Sequence, residues 1–175
     1  MSATRLTLTL ASEAMTRALA DRLADRLGPG DTLLLDGPIG AGKTAFARAL
    51  IQAAQARAGR DPEDVPSPTF TLVQTYEAGE FEIWHADLYR LGHPQEVMEL
   101  GLDEAFDTAL CLIEWPDRLG DLAPPGALRL ALAPGGTETL RHASFTAAGS
   151  VWADRLSPIL TELQTEIQTG TAPDA

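Results

Sequence analysis

At 175 residues the chain suits one domain with one sizeable core, and at 45% apolar and 22% charged residues it has an ordinary globular composition. No apolar run approaches the roughly 20 residues of a membrane span, the N-terminus lacks the basic start and apolar core of a secretory signal, and the single cysteine, Cys111, excludes an internal disulfide or a cysteine-rich zinc site; the cytoplasm is the expected location. The net charge of −12 and the scatter of the arginines leave no basic stripe for a polyphosphate backbone, so any nucleic acid in this protein's biology is expected to be held by another protein.

Residues 5–10 alternate strictly and predict a strand with one buried face. Ser12 is a natural N-cap for a helix carrying Met15, Leu19, Leu23 and Leu27 on one side and closed by Gly28. After the breaker Gly28-Pro29-Gly30, residues 31–36 read as a short buried strand. Then comes Gly37-Pro38-Ile39-Gly40-Ala41-Gly42-Lys43-Thr44, which fits G-x-x-x-x-G-K-[ST], followed by a helix in which Phe46, Ala47, Leu50, Ile51 and Ala54 recur at helical spacing up to Gly59.

Strand, glycine loop and helix are the context a phosphate-binding loop requires. Its glycines let backbone N–H groups converge into an anion nest, and the helix N-terminus favours the same negative charge. Gly37, Pro38, Ile39, Gly40, Ala41, Gly42, Lys43, Thr44 and Ala45 are therefore the candidate phosphate contacts, with Lys43 reaching the β- and γ-phosphates and the Thr44 hydroxyl ligating Mg²⁺. Lys43 is the only lysine in the chain, the other twelve basic residues being arginines. A compact ammonium fits between phosphates where a planar guanidinium fits poorly. Ser12 and Thr16, on the preceding helix, are candidates to touch the base of a bound nucleotide.

Residues 60–66 form a polar, proline-containing connection. Residues 67–76 are rich in β-branched and aromatic types, residues 77–80 make a turn, and residues 81–87 alternate again; together they predict an antiparallel hairpin. The hydroxyls of its first stretch, Thr69 and Thr71 among them, lie where they could meet Mg²⁺ or the γ-phosphate. Beyond a turn at Gly92-His93-Pro94, short helical segments are expected through Val97, Met98 and Leu100 and from 102 to 106. Residues 109–113 are apolar throughout and predict a fully buried strand ending at Glu114, with Cys111 inside it as a small hydrophobe. A further strand at 128–132, a turn at Pro134-Gly135-Gly136-Thr137 and a returning strand at 139–147 make a second hairpin. An amphipathic helix from 151 to about 168 ends residues 1–168 as a single domain, and 169–175 are expected to be a disordered tail. The fold class is α/β, a P-loop NTPase-like three-layer sandwich with a mixed sheet of parallel core and antiparallel hairpins.

Such a site needs an acid at the carboxyl end of a strand beside the loop. Glu114 ends the more apolar strand and is ranked ahead of Asp87, which ends an amphipathic one; a carboxylate ending a buried strand without a role would carry a desolvation cost. Lys43, Asp87 and Glu114 are the candidate catalytic residues, Thr44 and Glu114 the candidate metal ligands. His85 is read as a structural histidine rather than a base. For Trp115, core packing, a place beside nucleotide and a partner surface all stay open.

Four blocks taken together, Gly37 to Thr44, Ser67-Pro68-Thr69-Phe70-Thr71-Leu72-Val73, His85-Ala86-Asp87-Leu88-Tyr89-Arg90-Leu91 and Glu114-Trp115-Pro116, closely resemble the bacterial TsaE (YjeE) family. The first block alone is unspecific; the other three are distinctive. The resemblance implies an ATP- and Mg²⁺-dependent P-loop ATPase needed for threonylcarbamoyladenosine in tRNA, beside the anticodon. It also implies that the partner proteins TsaD and TsaB carry the transfer chemistry and the tRNA contact, while ATP hydrolysis resets the complex. By the same resemblance Lys43 binds phosphate, Thr44 and Glu114 ligate Mg²⁺, Thr69 and Thr71 sit in a nucleotide-sensing loop and Asp87 is a second acid. Gln74 is a departure, at a position of varying identity, and puts little in doubt.

A small-molecule kinase is the alternative. It usually needs a lid of several arginines, and between Arg118 and Arg141 there is only Arg129. A GTP switch usually reads guanine through an Asn-Lys-x-Asp element, and this chain has no asparagine.

Overall fold

Seven strands form one sheet in the order β1-β7-β6-β2-β5-β4-β3 in the computed structural model, which describes residues 3–173. The strands are β1 (Ala3–Leu10), β2 (Thr32–Asp36), β3 (Val73–Ala78), β4 (Phe81–Asp87), β5 (Leu110–Glu114), β6 (Leu128–Pro134) and β7 (Arg141–Ala148). The central pairs β6–β2, β2–β5 and β5–β4 are parallel; the pairs towards the edges, β1–β7, β7–β6 and β4–β3, are antiparallel. This is the mixed sheet expected, with β2 and β5 at its centre and wholly or almost wholly buried. Runs such as Leu33-Leu34-Leu35 and Leu110-Cys111-Leu112-Ile113 suit that place because both their faces are covered.

The covering differs by face. Helices α1 (Glu13–Ala24), α2 (Lys43–Arg57) and α5 (Val151–Thr169) bury Leu19, Leu23, Phe46, Leu50, Trp152 and Leu156 in one cluster with Leu33, Leu35, Leu110 and Leu112. The intervening strand residues Leu34, Cys111 and Ile113 join a second cluster with α3 (Glu96–Glu99), α4 (Leu102–Thr108) and Leu119. The result is three layers, with the glycine loop at the carboxyl end of β2 on the α2 side. Among the described residues no helix is long and apolar enough to cross a membrane.

Boundaries depart from the sequence pattern in three informative places. The strand expected at 67–76 begins only at Val73. Pro68 cannot donate to a ladder, and Leu72 takes a left-handed backbone (φ 65°), so residues 67–72 do not join the strand. Helix α1 stops at Ala24, though Leu27 is still buried. After β5 the chain enters a 3-10 segment, Pro116–Leu122, kinked at Gly120. Of the expected tail, Thr169 closes α5, Gly170 caps it in a left-handed conformation, and Thr171 and Ala172 donate their amides to the Glu166 carbonyl. Asp174 and Ala175 lie outside the described residues.

Candidate functional site

The glycine loop is held from behind. Gly37 sits at φ 143°, and a Cβ there would come within 2.4 Å of the Leu132 carbonyl oxygen on β6, so only glycine lets the loop pass this close. Its amide donates to Asp36 Oδ1 at 2.9 Å. Gly42, also left-handed, starts α2, which has neither a capping side chain nor an acid in its first turn. The helix itself thus supplies nothing to compensate its positive end where the loop opens.

Lys43 is buried, and its ammonium donates to the carbonyls of Gly37 and Pro38, the latter at 3.0 Å, while standing 4.0 Å from the centre of the Trp115 ring. Burial pushes its pKa below the usual 10.5, against the opposing pull of Glu114, Asp36 and Asp87.

The acids arrive from the neighbouring strands. Because β5 lies directly beside β2, Glu114 ends up against the start of α2, where its Oε1 accepts the Thr44 hydroxyl at 2.8 Å. Glu114 Oε2 accepts from His85 Nε2 at 2.6 Å, and both side chains are buried. Asp87, one strand further out and in register with Glu114, accepts the Tyr89 amide at 3.0 Å and the Ser67 hydroxyl at 3.3 Å. Ser67 and Thr69 share a hydrogen bond of 2.9 Å.

These groups line a cleft of about 410 Å³, formed by residues 39–45, Thr69, Asp87, Tyr89, Glu114 and Trp115. Of the two non-glycine residues with left-handed backbone among those described, Trp115 lines it and the Leu72 carbonyl accepts the amide of Asp87, which lines it. Strained backbone of this kind is found where a side chain must be aimed. At Trp115 the turn brings the indole over Lys43 and against Tyr89, ring centres 4.9 Å apart. A second cleft of about 340 Å³ lies across the loop, sharing Ala41, Gly42 and Ala45 and adding Thr16, Arg17, Gln52 and Arg141. Arg141 clamps the loop itself, donating through Nε to the Ala41 carbonyl at 2.8 Å.

The fold therefore brings together Ile39, Gly40, Ala41, Gly42, Lys43, Thr44, Ala45, Thr69, Asp87 and Glu114, with Gly37 and Pro38 just behind as acceptors for Lys43. It does not bring Ser12 or Thr71. The Ser12 hydroxyl accepts the Met15 amide and donates to the Pro173 carbonyl, and Thr71 is exposed outside both clefts. Thr16, rather than Ser12, lines the second cleft because α1 turns its N-cap towards the C-terminal segment. Sequence reasoning missed Tyr89, Arg141 and the tie between His85 and Glu114. The last was signalled by parity: His85 and Asp87 are two apart on one strand and so share a face.

Among the described residues no group of three or more His, Cys, Asp and Glu could cage a metal. A hydroxyl and a carboxylate oxygen side by side, Thr44 and Glu114, instead suit Mg²⁺, which takes one or two protein oxygens and fills its shell with water and phosphate.

The family model for the threonylcarbamoyl adenosine biosynthesis protein TsaE matches residues 10–142, a stretch that contains every residue lining the first cleft. The chain belongs to the TsaE family. The tRNA threonylcarbamoyladenosine biosynthesis protein TsaE of Rickettsia conorii is 44% identical over 124 residues, covering 71% of this chain and 69% of that protein. The TsaE of Bacillus subtilis is 35% identical over 136 residues, 77% of this chain and 81% of its own. In fold the chain is similar to the crystal structure of Bacillus subtilis YdiB, with a TM-score of 0.72 at 28% identity over 90% of this chain and 95% of that one. The TsaE match ends at the start of β7 and leaves α5 uncovered.

Proposed function

We propose that this protein is a cytoplasmic ATPase serving threonylcarbamoyladenosine formation in tRNA, that it binds ATP with Mg²⁺, and that it acts with TsaB and TsaD, which carry the transfer step. Membership of the TsaE family supports the pathway. The observation that carries the ATPase reading is the Thr44–Glu114 hydrogen bond set beside Lys43 at the mouth of the glycine loop.

In this reading the amides of residues 40–44 cradle the phosphates, and Lys43 exchanges the Gly37 and Pro38 carbonyls for phosphate oxygens. Thr44 and Glu114 hold Mg²⁺, which when bound neutralises charge on the phosphate oxygens. Asp87, held by the Tyr89 amide, orders the attacking water, and Thr69 closes the rim beside it. The base lies in the second cleft against Thr16, Gln52 and Arg141. No arginine lines the first cleft, so Lys43 is its only cationic side chain. Hydrolysis by the protein alone is accordingly slow and is stimulated when a partner orders residues 67–71. The net charge of −12 leaves tRNA contact to the partners.

Reconstitution tests this. Modification of tRNA by TsaB and TsaD should continue over repeated cycles only when this chain and ATP are present, with phosphate released to water. Transfer of phosphate to nucleosides or small alcohols instead would support a kinase and overturn the reading, as would calorimetry showing no uptake of ATP with Mg²⁺.

A further inference from the structure

We propose that His85 is the positioning residue of the metal-binding carboxylate: its Nε2–H holds one oxygen of Glu114 so that the other is presented to Thr44 and to Mg²⁺. The inference rests on the ATP–Mg²⁺ reading of the site and goes beyond it, since it assigns a task to a side chain that touches neither nucleotide nor metal.

The geometry is specific. Parallel pairing of β4 with β5 sets His85 opposite Leu112 and Asp87 opposite Glu114, so His85, Asp87, Leu112 and Glu114 all project from one face of the sheet. His85 therefore reaches forward along that face, beneath Asp87, to the back of the Glu114 carboxylate. The histidine is fully buried and Glu114 nearly so, which leaves water little access to either partner. His85 Nδ1 is itself buried and has no hydrogen-bond partner among the described residues. A proton there would be an orphaned donor, so the ring carries its proton on Nε2, aimed at Glu114. The two oxygens of Glu114 are thereby divided: Oε2 belongs to His85 at 2.6 Å and Oε1 to Thr44 at 2.8 Å.

A purely structural role explains this poorly. Two apolar side chains of similar volume at the same buried position would stabilise the sheet at least as well as a buried polar pair. A carboxylate with a free terminal torsion, by contrast, could swing both oxygens towards a cation or turn away from it. Fixing one oxygen leaves a single-point ligand in a set orientation, which matches the near-ideal octahedral geometry Mg²⁺ demands.

Titrating ADP into the purified full chain, in EDTA and across a Mg²⁺ series, tests the proposal by binding alone. Three variants are compared. His85→Leu keeps bulk and removes the donor. His85→Asn places an amide short of the Nε2 position, and His85→Gln places its amide nitrogen there. All three should bind ADP in EDTA within about threefold of wild type, while the Leu and Asn variants need about 10- to 100-fold more Mg²⁺ for half-maximal enhancement and the Gln variant returns to within about threefold. An unchanged Mg²⁺ requirement in the Leu and Asn variants overturns the inference, as does a Gln variant no better than Asn, or equal losses with and without metal. Should the Leu variant fail to fold, the contrast between Asn and Gln decides. A wild type that binds no ADP under either condition overturns the nucleotide reading itself, a result distinct from Mg²⁺-dependent binding that the variants leave untouched.

Discussion

On the floor of the first cleft Lys43 and Glu114 are 5% and 2% exposed, and the ammonium and both carboxylate oxygens are matched by neighbours. On its rim Ile39 and Phe70 stand 77% and 82% exposed, and Phe70 has for company the Arg90 guanidinium 4.6 Å from its ring. The floor is closed on itself by buried, mutually satisfied polar groups, which hold it in one arrangement. The rim leaves large apolar groups in water beside that floor, the pattern of a surface completed by another macromolecule. On the function proposed above, the two regions would answer to different partners, the floor to a phosphate and its cation and the rim to protein.

The largest effect should come from Lys43→Ala, which removes the only ammonium in the cleft. With a charge-assisted hydrogen bond contributing about 1.5–3 kcal/mol, ATP affinity by calorimetry should fall roughly 10- to 100-fold or more. Glu114→Ala should follow, lowering Mg²⁺-dependent turnover by about one to two orders of magnitude; it also leaves His85 unpaired, at a stability cost of about 1–3 kcal/mol in a urea melt. If Glu114→Ala is fully active while Asp87→Ala is dead, the order of the two acids is reversed. Asp87→Asn keeps an acceptor for the Tyr89 amide, so turnover should drop less than in Asp87→Ala, by about tenfold between the two.

Phe70→Ser is the sharpest test of the rim. Being exposed, it should shift stability by less than about 0.5 kcal/mol and leave nucleotide affinity unchanged, while reducing stimulation by TsaB and TsaD. A large loss of ATP affinity in that variant would erase the distinction between floor and rim. The smallest response belongs to Cys111, fully buried on β5 on the α3 and α4 face of the sheet, where burial pushes the thiol up to about 12. A thiol reagent at pH 8 should label it no faster than the chain unfolds, in wild type and Phe70→Ser alike. The folded state holds that proton up to about 12 and the unfolded state releases it near 9.0, so this group's contribution to stability declines as pH rises above 9.0.

Much of the floor was legible because its signals are local. The glycines, the lone lysine and the apolar runs on either side define a strand, a loop and a helix within residues 31–59, and no distant contact is needed to interpret them. The acids were legible as strand ends. Ser12 and Thr71, expected among the nucleotide contacts, line neither cleft: a hydroxyl at an N-cap is already engaged by the helix it starts, and Thr71 is exposed. The strand expected at 67–76 is shorter in the fold because its β-branched composition does not offset Pro68, which cannot join a ladder, or the left-handed Leu72. Trp115 stayed open because nothing in a one-dimensional pattern marks a left-handed turn at a tryptophan.

The order of residues alone thus determined the class of fold and the chemistry at the loop, since turn, period and helix start are set within a few residues of one another. Strand order was left to the tertiary structure. Placing β5 between β2 and β4 brings Glu114 to Thr44 across 70 residues of chain and His85 to Glu114 across 29. Long-range pairing depends on which buried faces fit together, and that choice is made by the whole sheet and both of its helical layers at once.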